Sequence, residues 1–179
     1  MINDSHIDKV LHNILKREGW PTYTDHPVDR GGPTKGGITL ATFRSWRGKH
    51  GSWGGAAITK KHLQNLKEEE ALAILKNRYV ICNGIDKVET PELQEQIIDD
   101  AVLSGPFLAV KDLQKTVNVV QDGIIGNKTL AAIELNNPII VNRKLAVERS
   151  LRLARFVQKN PKQLVFLVGW LKRCLEFVQ

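Results

Sequence analysis

The chain has 179 residues, 42% hydrophobic and 25% charged, enough for a sizeable core in one domain or two closely packed lobes and unlike a disordered composition. Its net charge of +7 favours an anionic partner, without choosing among nucleic acid, an acidic membrane face and cell-wall polymer. The opening MINDSHIDKVLHN lacks a basic stretch followed by an apolar core, so no secretory signal is expected, and the longest apolar run, LVFLVGWL at 164–171, is far too short to span a bilayer.

In chain order, the first helix is the clearest. Ile7, Val10, Leu11, Ile14 and Leu15 fall at i, i+3, i+4, i+7 and i+8, and Ser5 with Asp8 has the spacing of a capping box. The next position on that stripe is Glu18, just before Gly19 and Pro21 stop the helix. A carboxylate thus stands where the pattern asks for an aliphatic side chain. Partial burial of such a group is the requirement for a general acid, since burial disfavours the ionised form; the alternative is a helix-end glutamate that bends away to solvent.

About twenty residues rich in Gly, Pro, Asp and Thr follow, a loop long enough to suggest function, with a small hairpin possible inside it. Leu40–Trp46 reads as a short helix that Thr39 could cap, and GKHGSWGG at 48–55 as a connection. Helices are expected from about Lys60 and over Glu68–Val80, the second opening on a solvated Glu68-Glu69-Glu70 turn. Thr90-Pro91-Glu92 starts another, which carries Leu93, Ile97 and Ala101 and ends at Ser104-Gly105-Pro106. A further helix holds Ala109, Val110, Leu113 and Val117 and breaks at Asp122-Gly123 and Gly126; the last two start near Pro138 and Pro161. The C-terminal one is expected to pack, with a surface amphipathic helix as the alternative. No strand-like alternation persists, so the fold class is predominantly all-α. From Arg143 to Arg173 nine Lys or Arg face a single acid, Glu148, which reads as a solvated basic face or as a docking face for an anionic polymer.

Cys82 and Cys174 sit among apolar residues without CxxC spacing and are expected to be buried free thiols. His6, His12, His26, His50 and His62 are scattered, so no metal site is expected. There is no G-x-S-x-G elbow and no Walker spacing around Gly31–Gly37. Carboxylate chemistry remains: Glu18 at the helix rim, with Asp25 and Asp29 in the loop after it. Two carboxyl groups flanking a bond are the usual apparatus of glycoside hydrolysis.

These residues also carry a resemblance. Glu18-Gly19, Tyr23-Thr24-Asp25-His26-Pro27-Val28-Asp29-Arg30-Gly31-Gly32 and Thr34-Lys35-Gly36-Gly37-Ile38-Thr39 resemble the E-G-G-Y-x-N-x-P-x-D-x-G-G-x-T-x-x-G-I-T signature of the muramidases of glycoside hydrolase family 108. Arg78-Tyr79 resembles the family's Tyr-Trp site, and Asp99–Pro106 its D-x-A-V-N-x-G-P. Gln114 with Asp122–Leu130 is similar to its peptidoglycan-binding half, and Phe166–Arg173 to its closing F-L-x-G-W-x-x-R. Trp20 replaces the second glycine of E-G-G, Val80 stands where Trp usually follows the tyrosine, and Leu103 stands where Asn does.

The resemblance implies a lysozyme-like helical fold with a catalytic lobe at 1–88 and a peptidoglycan-binding lobe at 89–179, packed as one unit. It implies an N-acetylmuramidase of endolysin type, active as a monomer on the β-1,4 bond of peptidoglycan, with no cofactor and no nucleic-acid partner. It makes Glu18 the essential acid. The order Glu, Asp, Thr further resembles the trio of other phage lysozymes, so Asp29 either handles water or only shapes an Asx turn, and Thr39 either positions that water or only caps a helix. Tyr23, Gly32, Thr34, Tyr79 and Asp99 are the implied substrate-binding residues. A holin-like lesion would carry the enzyme from the host cytoplasm to the wall, where the basic tail would hold it by charge. The rivals are a lytic transglycosylase and a wall-binding protein without catalysis.

Overall fold

The computed structural model describes residues 4–25, 32–49 and 57–178. Among them the chain is mostly helical with one small antiparallel sheet, a lysozyme-like arrangement. Two compact units emerge: Ile7–Asn77, and the chain from Arg78 onward together with residues 4–6. Contacts thus divide at 77/78.

In the first unit, α1 (Asp4–Arg17) carries the aliphatic stripe, and Ile7, Val10, Leu11, Ile14 and Leu15 are all at most 3% exposed. Ser5 lies inside α1, so the expected capping box does not form; Asp8 instead accepts from Lys76 Nζ at 2.9 Å. Strands β1 (Tyr23–Thr24), β2 (Thr34–Lys35) and β3 (Ile38–Thr39) make the sheet, in that order. Lys35 pairs with Ile38, so Gly36-Gly37 is a two-residue hairpin turn, and φ values of +52° and +79° are those of the type I′ turn favoured by strand twist.

Thr39 Oγ1 accepts from Thr42 N at 3.2 Å and caps α2 (Leu40–Lys49), which continues through Gly48. The remainder of the expected 48–55 connection lies outside the described residues. Helices α3 (Lys60–Gln64) and α4 (Glu68–Tyr79) complete the unit's core with Leu63, Ala71, Ile74 and Leu75. The acidic first turn of α4 is paired rather than merely solvated: Glu70 takes both Nε and Nη2 of Arg47 at 2.8 and 2.7 Å, and Glu68 meets His12 Nδ1 at 2.7 Å.

In the second unit, α5 (Pro91–Ser104) packs on α6 (Pro106–Thr116), and α8 (Pro138–Lys159) on α9 (Leu164–Leu175). Thr90 makes no side-chain cap, whereas Asn137 Oδ1 accepts from the amides of Ile139 and Ile140 at 3.0 and 3.2 Å and fixes the start of α8. Helix α7 (Asn127–Glu134), two turns long, falls in the stretch where no helix was expected. Cys174 is buried, but Cys82 is exposed, because the chain after α4 tightens into a 3₁₀ turn over Ile81–Asn83 that leaves Ile81 and Cys82 outward.

Between these helices runs an ion cluster of three carboxylates and three guanidiniums. Asp99 accepts from Arg149 Nη2 at 2.6 Å and Arg173 Nε at 2.7 Å. Arg152 bridges Asp100 (2.7 and 2.6 Å) and Asp112 (2.6 Å). Arg149 is 0% exposed. Burial pushes the Asp112 carboxyl up, against the pull of Arg152.

Candidate active site

Glu18 is set by the way α1 ends. The amide of Gly19 donates to Lys16 O at 3.0 Å and that of Trp20 to Leu15 O at 3.1 Å, with Gly19 at φ +82°. That is a Schellman closure with Glu18 at the C-cap. A C-cap residue has begun to leave the helical path, so the stripe no longer aims its side chain at the core. Glu18 is exposed, which corrects the partial burial inferred from spacing. An acid at a helix C-terminus also runs against the helix dipole, a violation of helix rules of the kind expected where function outranks stability.

The side chain has a defined neighbour. A Cβ built on Gly37 would lie 3.4 Å from Glu18 Cβ, 3.6 Å from Cγ and 3.7 Å from Oε2. The glutamate therefore stands beside the β2–β3 turn, about one methyl group away from its backbone. Next to it, a Cβ on Gly36 would fall 2.5 Å from Cε3 of Trp20, so the indole fills the space that glycine leaves open. Lys35 Nζ stands 5.0 Å from the Trp20 ring centroid and donates to Gln64 O at 2.6 Å and Leu66 O at 2.9 Å, which ties the turn to the end of α3. Burial pushes the Lys35 ammonium down, and the two carbonyls and the ring compensate its charge.

The sheet gathers several of the implied binding residues. Thr24, Thr34 and Thr39 form one cross-strand row, and Tyr23, Lys35 and Ile38 the next. Thr34 Oγ1 donates to Gly32 O at 2.9 Å, closing the turn into β2. Thr39 caps α2, as one of its two expected roles requires. Asp25 is engaged: its Oδ2 accepts from Lys60 Nζ at 2.9 Å and Tyr23 Oη at 3.4 Å. Slight burial and the Asp25 charge push the Tyr23 phenol up, while the bond to Asp25 pushes the Lys60 ammonium up. Asp29 lies outside the described residues.

Two implied binding residues belong to the second unit. Tyr79 ends α4, half-buried, with the Arg78 guanidinium 5.6 Å from its ring centroid. Asp99 is 2% exposed and holds Arg149 and Arg173, so its carboxylate braces helices where a surface substrate cannot reach it. Trp20, Lys35 and Gly37 were not assigned roles from sequence. The Lys-Gly-Gly-Ile pattern of a type I′ hairpin was the available signal for the last two. Among the described residues no group of three His, Cys, Asp or Glu could hold a metal.

An exposed helix-end carboxylate beside a glycine turn, in a mostly helical lysozyme-like chain, fits a glycosidase that works through carboxyl groups. The chain belongs to the glycosyl hydrolase 108 family, whose model matches residues 11–105. A second model, described as a predicted peptidoglycan domain, matches residues 108–175. Among solved structures, Brucella abortus SagA is 30% identical, with a TM-score of 0.72 over 99% of this chain and 98% of that one. No curated protein matches. The protein is thus a glycosidase acting on peptidoglycan, with a peptidoglycan-binding region toward its C-terminus.

Proposed function

We propose that this chain is an N-acetylmuramidase that hydrolyses the β-1,4 bond between N-acetylmuramic acid and N-acetylglucosamine, and that it serves as an endolysin. The observation that carries the reading is the placement of Glu18 beside the Gly36-Gly37 turn, in the part of the chain that matches the glycosidase family. With no Cβ at position 37, a polymer laid across the turn can approach the carboxyl closely. Glu18 would protonate the leaving glycosidic oxygen, and Asp29 would activate water or stabilise the oxocarbenium-like transition state. Thr39 would position the water, and Tyr23, Gly32 and Thr34 would line the approach along the sheet. Synthesis in the host cytoplasm and release through a holin-like lesion complete the scheme.

Mass analysis of the products from purified peptidoglycan tests the bond and the chemistry together. Hydrolysis at muramic acid yields reducing-end N-acetylmuramic acid. Anhydromuramic ends would instead assign a lytic transglycosylase, and reducing-end N-acetylglucosamine a glucosaminidase. Intact sacculi would leave only binding.

A further inference from the structure

The outer face of α9 is apolar. Leu164, Val165, Val168 and Leu175 are 60%, 79%, 64% and 59% exposed, and they fall on one side of the helix with Lys172 among them. The opposite side is only partly used: Cys174 is buried, and the half-buried Trp170 meets the exposed Phe156 and Phe166, with ring centroids 6.1 and 5.8 Å away. Isolated exposed aliphatics are ordinary on protein surfaces, but several on one helical face mark an interaction surface.

The charge of the α8–α9 hairpin argues for what that face fits. Of the nine Lys and Arg between Arg143 and Arg173, Arg149, Arg152 and Arg173 are spent on the internal carboxylates Asp99, Asp100 and Asp112. Glu148, the only acid in the stretch, is taken by Lys115. Arg143, Lys144, Arg155, Lys159, Lys162 and Lys172 pair with no carboxylate among the described residues. Arg143, Lys144 and Arg155 share the outward side of α8 with the exposed Val147 and Leu151. Aliphatic side chains bordered by uncompensated cations are the composition of a helix that lies in the interface of an anionic bilayer. Lys172 does not spoil the face, since its stem can run along hydrocarbon while the ammonium reaches the headgroups.

We propose that the α8–α9 hairpin docks on an anionic membrane surface, with Leu164, Val165, Val168 and Leu175 entering the headgroup–acyl boundary and the six cations meeting lipid charge. A second copy of the chain fits less well. It would bring the same positive field, and four aliphatic side chains offer far less than the roughly 800 Å² each partner gives to a stable complex. Nor would the helix cross the bilayer; no described helix is long and apolar enough.

Co-sedimentation of the full chain with phosphatidylcholine vesicles, with and without phosphatidylglycerol, tests the proposal. The chain should partition onto the anionic vesicles only, and less as salt rises. Val165→Asp with Val168→Asp, both solvent-facing, should keep the helix content and lower partition at least about tenfold. Lys159→Glu with Lys162→Glu should weaken it too. The proposal is overturned if the chain ignores anionic vesicles, if the double aspartate variant partitions equally, or if that variant loses sacculus binding and not vesicle binding. A dimer in sedimentation that the same variant dissociates, without vesicle binding, overturns it equally.

Discussion

Gly37 adopts a left-handed turn beside Glu18, and one methyl group can test how much that turn matters. A side chain at φ +79° costs about 1–2 kcal/mol, and the new Cβ would touch Glu18 Cβ at an ordinary contact distance of 3.4 Å, so the strain lies in the backbone of the turn. Gly37→Ala should therefore keep its helix signal yet lose about tenfold or more in peptidoglycan turnover as the strained turn relaxes beside Glu18, since ångström-scale misplacement around a reacting group is that costly. An unchanged rate would mean that the turn does not position the acid. At Thr39 the two roles separate by substitution. Thr39→Ala removes the α2 cap and should cost about 1 kcal/mol in urea unfolding, while Thr39→Ser should recover it. If both variants hydrolyse as the parent does once stability is allowed for, Thr39 is a cap and nothing more.

At the scale of elements, the period of the apolar stripe made α1 legible, and the same period singled out Glu18. Its exposure was not legible, because periodicity holds only while the chain stays helical, and the Schellman closure ends that at Gly19. Helix α7 escaped because two turns give only Leu130 and Ile133 as a pattern, between Gly126 and Pro138. Thr90-Pro91 read as a capped start, yet the side chain that caps a helix in this unit is Asn137. Asn137→Ala should lower the urea midpoint by the equivalent of about 1 kcal/mol with an unchanged slope. At Gly123, φ is +78° and a Cβ would enter the Phe107 ring, while Gln114 holds the same loop through Asp122 and Ile124 at 2.7 and 3.0 Å. Gly123→Ala should destabilise by about 2–4 kcal/mol, from strain and overpacking together; a neutral result would mean that Phe107 moves aside freely.

For the whole molecule, fold class and family signature were legible in the sequence, and long-range pairing was not. Nothing in the spacing of Asp99, Asp100 and Asp112 indicates that Arg149, Arg152 and Arg173, some forty to seventy residues away, complete one cluster. That pairing is why Asp99, a substrate-binding residue by the family resemblance, lies buried. It is also why the basic stretch looked more heavily charged than the surface it forms. Arg149→Met should cost about 3–5 kcal/mol by stranding buried carboxylates, visible as a lowered thermal midpoint. Contacts divide the chain at 77/78, and the family matches meet between 105 and 108, so α5 is matched with the glycosidase segment while its side chains belong to the second unit.

The central claim is that one carboxyl group donates the proton that breaks the glycosidic bond. Soluble muropeptide release from purified sacculi by the Glu18→Gln protein, at matched helix content and thermal midpoint, measures it directly. The amide keeps the shape but has no acidic proton to donate, so release should fall to the background of the sacculi alone. Release at a rate near that of the parent would place the acid elsewhere in the chain.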